Sequence, residues 1–270
     1  MPGPGPGTRV RLDQLVVDRG LARSRAEAQA LILAGAIHLV GAEGRHLSAG
    51  QRVDVATAVA RDDGPSWASR GADKLVAALD AFALDVAGLT CLDAGASTGG
   101  FTDVLLSRGA ERVYAIDVGH GQLLPRLAND ERVVVMDRTN LRTLAELPEP
   151  IDLVTLDLSF ISLRLVLGTV RGLLAPSGRV VALVKPQFEA GRSEVPRGGV
   201  VRDPSVHRRV LVGLASDAVA AGLEPIGLVA SPRLGREGNR EFLALLRVAA
   251  GNERGSAPMA WDEIVESVLG

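Results

Sequence analysis

With 270 residues, 47% of them hydrophobic and 23% charged, and a formal net charge of −2, the chain can bury a sizeable core, and two unequal domains are expected. Its single cysteine excludes an internal disulfide framework, argues against a metal cluster and favours a reducing, cytoplasmic environment. Because it has neither a signal-peptide pattern nor an apolar run of about 18 residues, we expect a protein that is neither secreted nor membrane-spanning.

The N-terminal part of the chain is basic. Residues 1–61 contain eight arginines and five acidic residues, a net charge of +3, which leaves −5 for the rest of the chain. A planar guanidinium suits bidentate contact with phosphate, so this local charge indicates a nucleic-acid-binding surface. An arginine-rich genome composition would explain the same count without any such surface.

Residues 1–8, in which proline and glycine alternate, predict a disordered tail, because this composition forms neither helix nor sheet. Apolar spacing then predicts two helices and two short strands that are joined by a glycine-bearing loop: Arg11–Arg19, Ser24–Ala34, Ile37–Val40 and Gln51–Val55. Ser24 and Glu27 form a capping box at the start of the second helix. Together these elements predict a small α+β domain over residues 9–60.

Residues 61–68 (RDDGPSWA) predict a linker in which Trp67 is the one large anchor. Over residues 69–270 strands and helices alternate, which is typical of a doubly wound, mostly parallel sheet. The seven predicted strands are Cys91–Ala94, Val113–Asp117, Val133–Met136, Ile151–Asp157, Arg179–Lys185, Ile226–Ala230 and Phe242–Val248. The main predicted helices are Lys74–Phe82, Phe101–Arg108, Leu163–Leu174 and Pro204–Ala221.

The segment CLDAGASTGG, residues 91–100, predicts a buried strand that runs through a glycine-rich turn into a helix. Glycine has no Cβ to block a ligand, and the N-terminus of the helix presents free N–H groups. The pattern is not GxGxxG and its turn carries polar side chains, which favours S-adenosylmethionine over a dinucleotide. The alternative is structural: Asp93 would then be a cap and Gly99 a packing residue.

Two further acids follow the next two strands. Asp117 lies 22 residues after Gly95, near the spacing at which an acid reaches ribose hydroxyls in dinucleotide folds, and Asp137 ends the third strand, where we expect it to bind the adenine amino group. Asp93 and the Gly95–Gly99 turn are expected to hold the methionine end. The predicted cofactor-binding residues are thus Asp93, Gly95, Ser97, Thr98, Gly99, Asp117 and Asp137.

Chemistry in such folds lies beyond the carboxyl ends of the parallel strands, where Asp157 and Lys185 are found. If the last strand is antiparallel, Glu241 returns to the same edge, and Lys74 begins the helix that enters the domain. A lysine acts as a base only when its pKa is lowered, which burial and a second ammonium would favour. Lys185 is our predicted base, with Asp157 and Glu241 orienting the ammonium groups and Lys74 tuning Lys185 or holding substrate. Ordinary salt bridges are the alternative.

Two sequence features that the chain lacks bear on which atom accepts the methyl group. The DLSF segment after the fourth strand lacks the Asn/Asp-Pro-Pro-aromatic pattern that is common in methyltransferases acting on base amines. Methylation of a pyrimidine carbon normally uses a cysteine beside the substrate, whereas Cys91 lies on the first strand. Both absences disfavour a base as the acceptor, so a ribose hydroxyl is the best candidate, and a 2′-hydroxyl implies RNA.

The chain resembles the TlyA family, hemolysin-like proteins that join an S4 RNA-binding domain to an FtsJ-like ribosomal RNA 2′-O-methyltransferase. The resemblance covers nearly the whole chain and rests on RLDQLV, GLARSRAEA and LILAGAI, and then on SRGADKL, CLDAGASTGGFT, DVGHGQL, RTN, DLSFISL, VKPQFE, GGVVRDP and GNREF. It implies a Rossmann-like domain of seven strands with an antiparallel last strand, S-adenosylmethionine as cofactor, and a cytidine ribose of 23S and in some members also 16S rRNA as substrate. The family's catalytic Lys, Asp, Lys and Glu fall on Lys74, Asp157, Lys185 and Glu241.

In the small domain, the resemblance implies that Arg11, Arg23 and Arg25 face RNA phosphate, although a solvated helix face is the alternative for each. The same resemblance places Leu12, Leu15, Leu21, Ala28 and Ile32 in the core of that domain. Three departures from the family pattern are Pro65–Ala68 in place of Arg-any-Trp-Val, Asp73 where histidine is frequent, and Asp137 where glutamate is.

Three other functions compete with an active methyltransferase. A membrane-damaging cytolysin is suggested only by the historical family name, and the chain lacks a strongly basic amphipathic helix. A non-catalytic RNA-binding assembly factor is disfavoured by intact candidates at all four reaction positions. An NAD-dependent oxidoreductase is disfavoured by the absence of GxGxxG.

Overall fold

A computed structural model describes residues 8–33, 35–42, 47–61, 67–191, 193–235, 238–249 and 260–270. Residues 1–7 of the predicted tail and 62–66 of the predicted linker lie outside the described residues. Within the described parts of the chain, no helix is long and apolar enough to cross a membrane.

The small N-terminal domain, hereafter the headpiece, contains two helices and four three-residue strands. These are β1 (Arg9–Arg11), α1 (Leu12–Asp18), α2 (Arg25–Leu33), β2 (Ile37–Leu39), β3 (Arg52–Asp54) and β4 (Val59–Arg61). The sequence predicted β2 and β3 as consecutive strands, but they do not pair with each other: β1 pairs with β3 and β2 with β4, both antiparallel. The prediction missed β1, which runs directly into α1, and β4, which ends where the linker was predicted to begin.

The headpiece core agrees with the sequence. Leu12, Leu15, Ala28 and Ile32 are buried, and Leu21 packs against them while partly exposed. The positions i, i+3 and i+4 on the two short helices therefore form one apolar cluster, as helical spacing predicts.

The larger domain, hereafter the sheet domain, is a twisted sheet covered by helices. Its elements are α3 (Ala72–Ala81), β5 (Thr90–Ala94), α4 (Gly100–Ser107), β6 (Arg112–Asp117), α5 (Pro125–Ala128), β7 (Val133–Asp137), β8 (Ile151–Leu156), α6 (Leu167–Leu173), β9 (Leu174–Val184), α7 (Pro186–Glu189), α8 (Pro204–Ala220), β10 (Leu223–Ala230), β11 (Phe242–Val248) and α9 (Ala260–Leu269). All seven predicted strands are present. The predicted helix Leu163–Leu174 is instead a 3₁₀ turn, Leu163–Leu165, followed by the shorter α6.

The strand order is β10-β11-β9-β8-β5-β6-β7. β11 runs antiparallel to both of its neighbours, and the other neighbouring pairs are parallel, which confirms the predicted architecture. The chain builds outward from β5 through β6 and β7 and then returns to β8 on the other side. Ligands of doubly wound sheets bind at this switch point, so the carboxyl ends of β5 and β8 locate the crevice.

Two apolar layers cover the faces of the sheet, because alternate residues of the buried strands point to opposite sides. On β5, Leu92 and Ala94 enter one layer and Cys91 the other. Burial raises the pKa of the Cys91 thiol to about 12, so this cysteine is a core residue and not a nucleophile.

The headpiece contacts the sheet domain directly. Ala30 of α2 and Trp67 pack against the same apolar layer, which includes Ala68 and Ala72. A Cβ placed on Gly35 would overlap the guanidinium of Arg70, so the backbone at Gly35 and the Arg70 side chain approach closely.

Candidate active site at the carboxyl edge of the sheet

The turn after β5 depends on left-handed backbone. Gly95 (φ +85°) and Gly99 (φ +98°) are left-handed, and Ser97 (φ +47°) lies between them. A Cβ on Gly95 would lie 2.5 Å from the backbone oxygen of Asp157, and one on Gly99 would overlap the side chains of Leu123 and, on α5, Leu127. Glycine is therefore required at both positions, and the turn lies directly against the residue that follows β8.

Asp93, on the strand that precedes the turn, holds the neighbouring elements together. Its side chain is fully buried, and it accepts hydrogen bonds from the hydroxyls of Thr102 on α4 (2.7 Å) and Thr155 on β8 (3.0 Å). Thr98 is also buried. These two predicted cofactor ligands thus lie inside the protein, where Asp93 ties β5, α4 and β8 together.

Burial raises the pKa of Asp93 to about 6, against hydrogen bonds from two threonines that lower it. Between pH 3.8 and about 6 the native protein therefore retains a proton that the unfolded chain has released, so stability falls as pH rises through this window. Asp93→Asn has no proton to release at this position, so we expect it to lack this pH dependence. As pH rises from about 4 to 6, the free energy of unfolding of the variant minus that of the parent should increase, and above about pH 6 the difference should stay constant. Urea unfolding across this range is the measurement, and parallel curves for the two proteins would contradict the expectation.

Asp117 and Asp137 are neighbours in the sheet, since they pair in the register of β6 and β7. Asp117 accepts hydrogen bonds from the backbone N–H groups of Ser97 (2.9 Å) and Gly119 (2.7 Å). Asp137 accepts one from the N–H of Gly121 (2.8 Å) and contacts Nδ1 of His120 at 2.7 Å. These two contacts lower the pKa of Asp137. Two carboxylates thus lie side by side at the carboxyl edge of the sheet, and that of Asp117 contacts the glycine turn.

The four predicted reaction residues form two ion pairs at the same edge. Nζ of Lys185 lies 2.7 Å from Oδ1 of Asp157 and also donates to the hydroxyl of Ser159 at 3.1 Å. Nζ of Lys74 lies 2.5 Å from Oε2 of Glu241. The side chain of Lys185 is only 11% exposed and that of Glu241 only 3%, so both pairs are largely shielded from water.

The sheet brings these distant residues together. β11 pairs antiparallel with β9 from Phe242 opposite Val184, so Glu241 and Lys185 leave the sheet side by side. Lys74 lies in the first turn of α3, and a Cβ on Gly71, which precedes that helix, would lie 3.9 Å from Oδ2 of Asp157. Each ammonium group is neutralised by a carboxylate, as burial of charge requires.

Two residues near the cluster were missed by the sequence analysis. Phe160 has a left-handed backbone (φ +63°), is 92% exposed and packs its ring 5.1 Å from that of Phe188. Glu189 accepts hydrogen bonds from the hydroxyl of Ser162 (2.6 Å) and the N–H of Leu163 (2.9 Å), and burial raises its pKa. Glu189, the last residue of α7, thereby joins that helix to the segment after β8.

The sequence contained a signal for these features. Phe160 and Phe188 each lie three residues after a reaction residue, in a chain with only 3% aromatic residues. Lys74 and Lys185 are also the only two lysines in the chain, whose other basic residues at neutral pH are 28 arginines. A side-chain amine thus occurs only at the two positions of this cluster.

The three predicted RNA-binding arginines lie on the headpiece. Arg11 and Arg25 both contact Asp13, whereas Arg23 is exposed and its backbone N–H donates to Glu27. The surface of the headpiece is therefore basic over a buried carboxylate.

Comparison with known proteins agrees with this architecture. Residues 67–248 match the family described as FtsJ-like methyltransferase, and residues 10–39 match the S4 domain. The 16S/23S rRNA (cytidine-2′-O)-methyltransferase TlyA of Mycobacterium tuberculosis is 49% identical over 88% of this chain and 90% of its own length. Hemolysin A of Brachyspira hyodysenteriae is 36% identical over 87% of this chain and 98% of its own length.

A solved structure from Streptococcus thermophilus, which carries a provisional hemolysin name, is 39% identical and matches with a TM-score of 0.73 over 96% of this chain and 95% of that one. Both the sequence relatives and this structure extend through the headpiece and the sheet domain. The chain belongs to the TlyA family of FtsJ-like methyltransferases, which carry an S4 domain before the catalytic domain.

Proposed function

We propose that this protein transfers the methyl group of S-adenosylmethionine to the 2′-hydroxyl of a cytidine in ribosomal RNA, with the large subunit as the first substrate to test and the small one as the second. The observation that carries the proposal is the position of Lys185: it is paired with Asp157, whose backbone oxygen packs against Gly95 of the cofactor turn. The proposed base thus lies close to the turn that we expect to hold the methyl donor. The relative from Mycobacterium tuberculosis is named for this reaction on 16S and 23S rRNA.

The residues at the carboxyl edge of the sheet suit S-adenosylmethionine in their chemistry. The Gly95–Gly99 turn offers backbone close to a ligand without a Cβ in the way, and Ser97 is the polar side chain of the turn that is partly exposed. Asp117 would accept hydrogen bonds from the ribose hydroxyls, and Asp137 from the adenine amino group. Asp93 and Thr98 would act indirectly, by holding the turn in place. The bound cofactor supplies an electrophilic methyl group.

The reaction residues would divide the remaining work. Lys185, as the neutral amine, would take the proton of the ribose hydroxyl as the oxygen attacks, and Asp157 and Ser159 would stabilise the ammonium group that forms. Lys74, fixed by Glu241, would bind the ribose oxygen or the neighbouring phosphate. After the proton transfer each ammonium group would have a carboxylate partner, Asp157 for Lys185 and Glu241 for Lys74.

The RNA would reach this edge through two surfaces. The exposed ring of Phe160, supported by Phe188, would stack on the target base, as aromatic side chains do with unpaired nucleotides. The headpiece, which we place at residues 9–60 with the linker at 61–68, would bind RNA phosphates through Arg11, Arg23 and Arg25. Such a substrate implies that the protein works in the cytoplasm, where ribosomes are modified.

Mass mapping of ribosomal RNA from cells with and without this protein tests the proposed function. We expect at least one cytidine to lose a single methyl group in the deletion strain and to regain it when the parent protein, but not Lys185→Ala, is expressed. The number of affected positions shows whether one or both subunits are substrates. Identical maps, together with lysis of protein-free liposomes by the purified protein, would instead favour the cytolysin alternative.

A further inference from the structure

We propose that Arg11 and Arg25 form a single preformed clamp for one RNA backbone phosphate, and that Asp13 is the positioning residue that builds it. The proposal rests on the RNA-binding role of the headpiece given above and adds a mechanism to it. In this proposal Arg11 and Arg25 act together as one site and do not bind RNA independently.

The clamp is built around a carboxylate that has no contact with solvent. Asp13 has 0% side-chain exposure, whereas the side chains of Arg11 and Arg25 are 45% and 52% exposed. Nε and Nη2 of Arg11 donate to Oδ1 and Oδ2 of Asp13 at 3.0 and 2.8 Å. Nη2 of Arg25 donates to Oδ2 at 3.3 Å, and the amide of Gln29 donates to the same oxygen at 2.8 Å.

These contacts join three elements of the headpiece. Arg11 ends β1, Asp13 lies in the first turn of α1, and Arg25 begins α2. The hydrogen bonds from Arg11 are the main reason why the pKa of Asp13 is held well below its usual range. Asp13 therefore stays ionised at any pH at which the ribosome works, and the two guanidinium groups share one fixed anchor.

A fixed pair of guanidinium groups suits a phosphate. Two cations over one carboxylate leave a net charge of +1 at the surface, and each guanidinium has five N–H donors, of which Asp13 takes two from Arg11 and one from Arg25. Arginine side chains lose much rotamer freedom when they bind a ligand in a defined geometry. Here the protein fixes them before binding, so less entropy is lost when the phosphate arrives.

The effect of Asp13→Asn on RNA affinity depends on which of two roles Asp13 has. The first is that Asp13 merely neutralises two surface arginines. In that case Asp13 competes with RNA, so Asp13→Asn would free the guanidinium groups, remove a negative charge and strengthen RNA binding. If Asp13 builds the clamp, the same substitution weakens binding although the protein becomes more positive. The direction of the change in affinity therefore separates the two roles.

The experiment measures binding of the full-length protein to an in vitro transcript of 23S rRNA over a range of salt concentrations. We expect Asp13→Asn to weaken binding about tenfold, with a salt dependence close to that of the parent because both arginines remain. Asp18→Asn is the matched control: it lies on the same helix and loses the same charge, but its contact is with the amide of Gln14. The control should bind as tightly as the parent or slightly more tightly.

A double-mutant cycle tests the clamp with Asp13 intact, so it remains informative if Asp13→Asn disturbs folding. We expect Arg11→Ala and Arg25→Ala each to weaken RNA binding. The double variant should bind RNA only slightly more weakly than whichever single variant has the lower affinity. Equal or tighter binding by a folded Asp13→Asn, or single effects that multiply in the double variant, would overturn the clamp. If neither arginine variant changes the affinity, the RNA-binding role of these residues in the proposed function fails as well.

Discussion

Replacement of Lys185 by arginine is expected to lower methyl transfer to ribosomal RNA by about 100- to 10,000-fold, the usual contribution of a general base, while S-adenosylmethionine binds nearly as well as to the parent. Arginine keeps the positive charge and can still pair with Asp157, which lies 2.7 Å from Nζ of Lys185. It cannot release a proton at neutral pH, so it cannot accept one from the ribose hydroxyl. Lys185→Ala should lose activity to a similar extent and also leave Asp157 without its buried partner.

Transfer of a labelled methyl group to ribosomal subunits, with calorimetric titration of the cofactor, measures both parts of this prediction. Lys74→Arg is the matched variant, because Lys74 and Lys185 are the only lysines and each is paired with a carboxylate. A lysine that only contributes charge should tolerate arginine better than a base does. If Lys185→Arg keeps most of its turnover, the assignment of the base is wrong, even though the proposed methyltransferase function would stand.

Gly95→Ala is expected to abolish cofactor binding and methyl transfer together and to lower the free energy of unfolding. The backbone of Gly95 is left-handed (φ +85°), which costs a residue with a Cβ about 1–2 kcal/mol. The added methyl group would also lie 2.5 Å from the backbone oxygen of Asp157. Because neither atom belongs to a flexible side chain, the turn and the loop after β8 must move apart, and both the cofactor turn and the partner of Lys185 are displaced.

Gly88→Ala separates the two contributions. Gly88 is also left-handed (φ +74°), but no atom lies within 4 Å of the position that an added methyl group would take, so only the backbone cost applies. We expect it to lower the melting temperature modestly and to leave cofactor affinity unchanged, as measured by thermal unfolding and calorimetric titration. A Gly95→Ala protein that behaves like Gly88→Ala would show that the contact with Asp157 does not couple the turn to the reaction residues.

Much of the sheet domain could be predicted because its signals are local. The strands of the sheet are short stretches rich in apolar residues, and all seven were predicted from them. The carboxyl ends of those runs pointed to Asp117, Asp137, Asp157 and Lys185, which the structure places on one edge. The short strands β1 and β4 were not predicted: β1 runs directly into α1, β4 ends at the predicted linker, and only the folded structure shows that they pair with β3 and β2.

What the sequence by itself determined is therefore the order of the elements, the apolar layers and the types of chemical group at the strand ends. Which of those groups meet was decided by tertiary structure: Lys74 reaches Glu241 across 167 positions only because β11 inserts antiparallel beside β9. The folded structure also buries Asp93, which was predicted as a cofactor ligand, beneath the glycine turn. It brings Arg11 and Arg25 together on the carboxylate of Asp13. The physical reason is that periodicity records whether a side chain faces the core, whereas hydrogen bonds and ion pairs depend on distances that only the folded backbone sets.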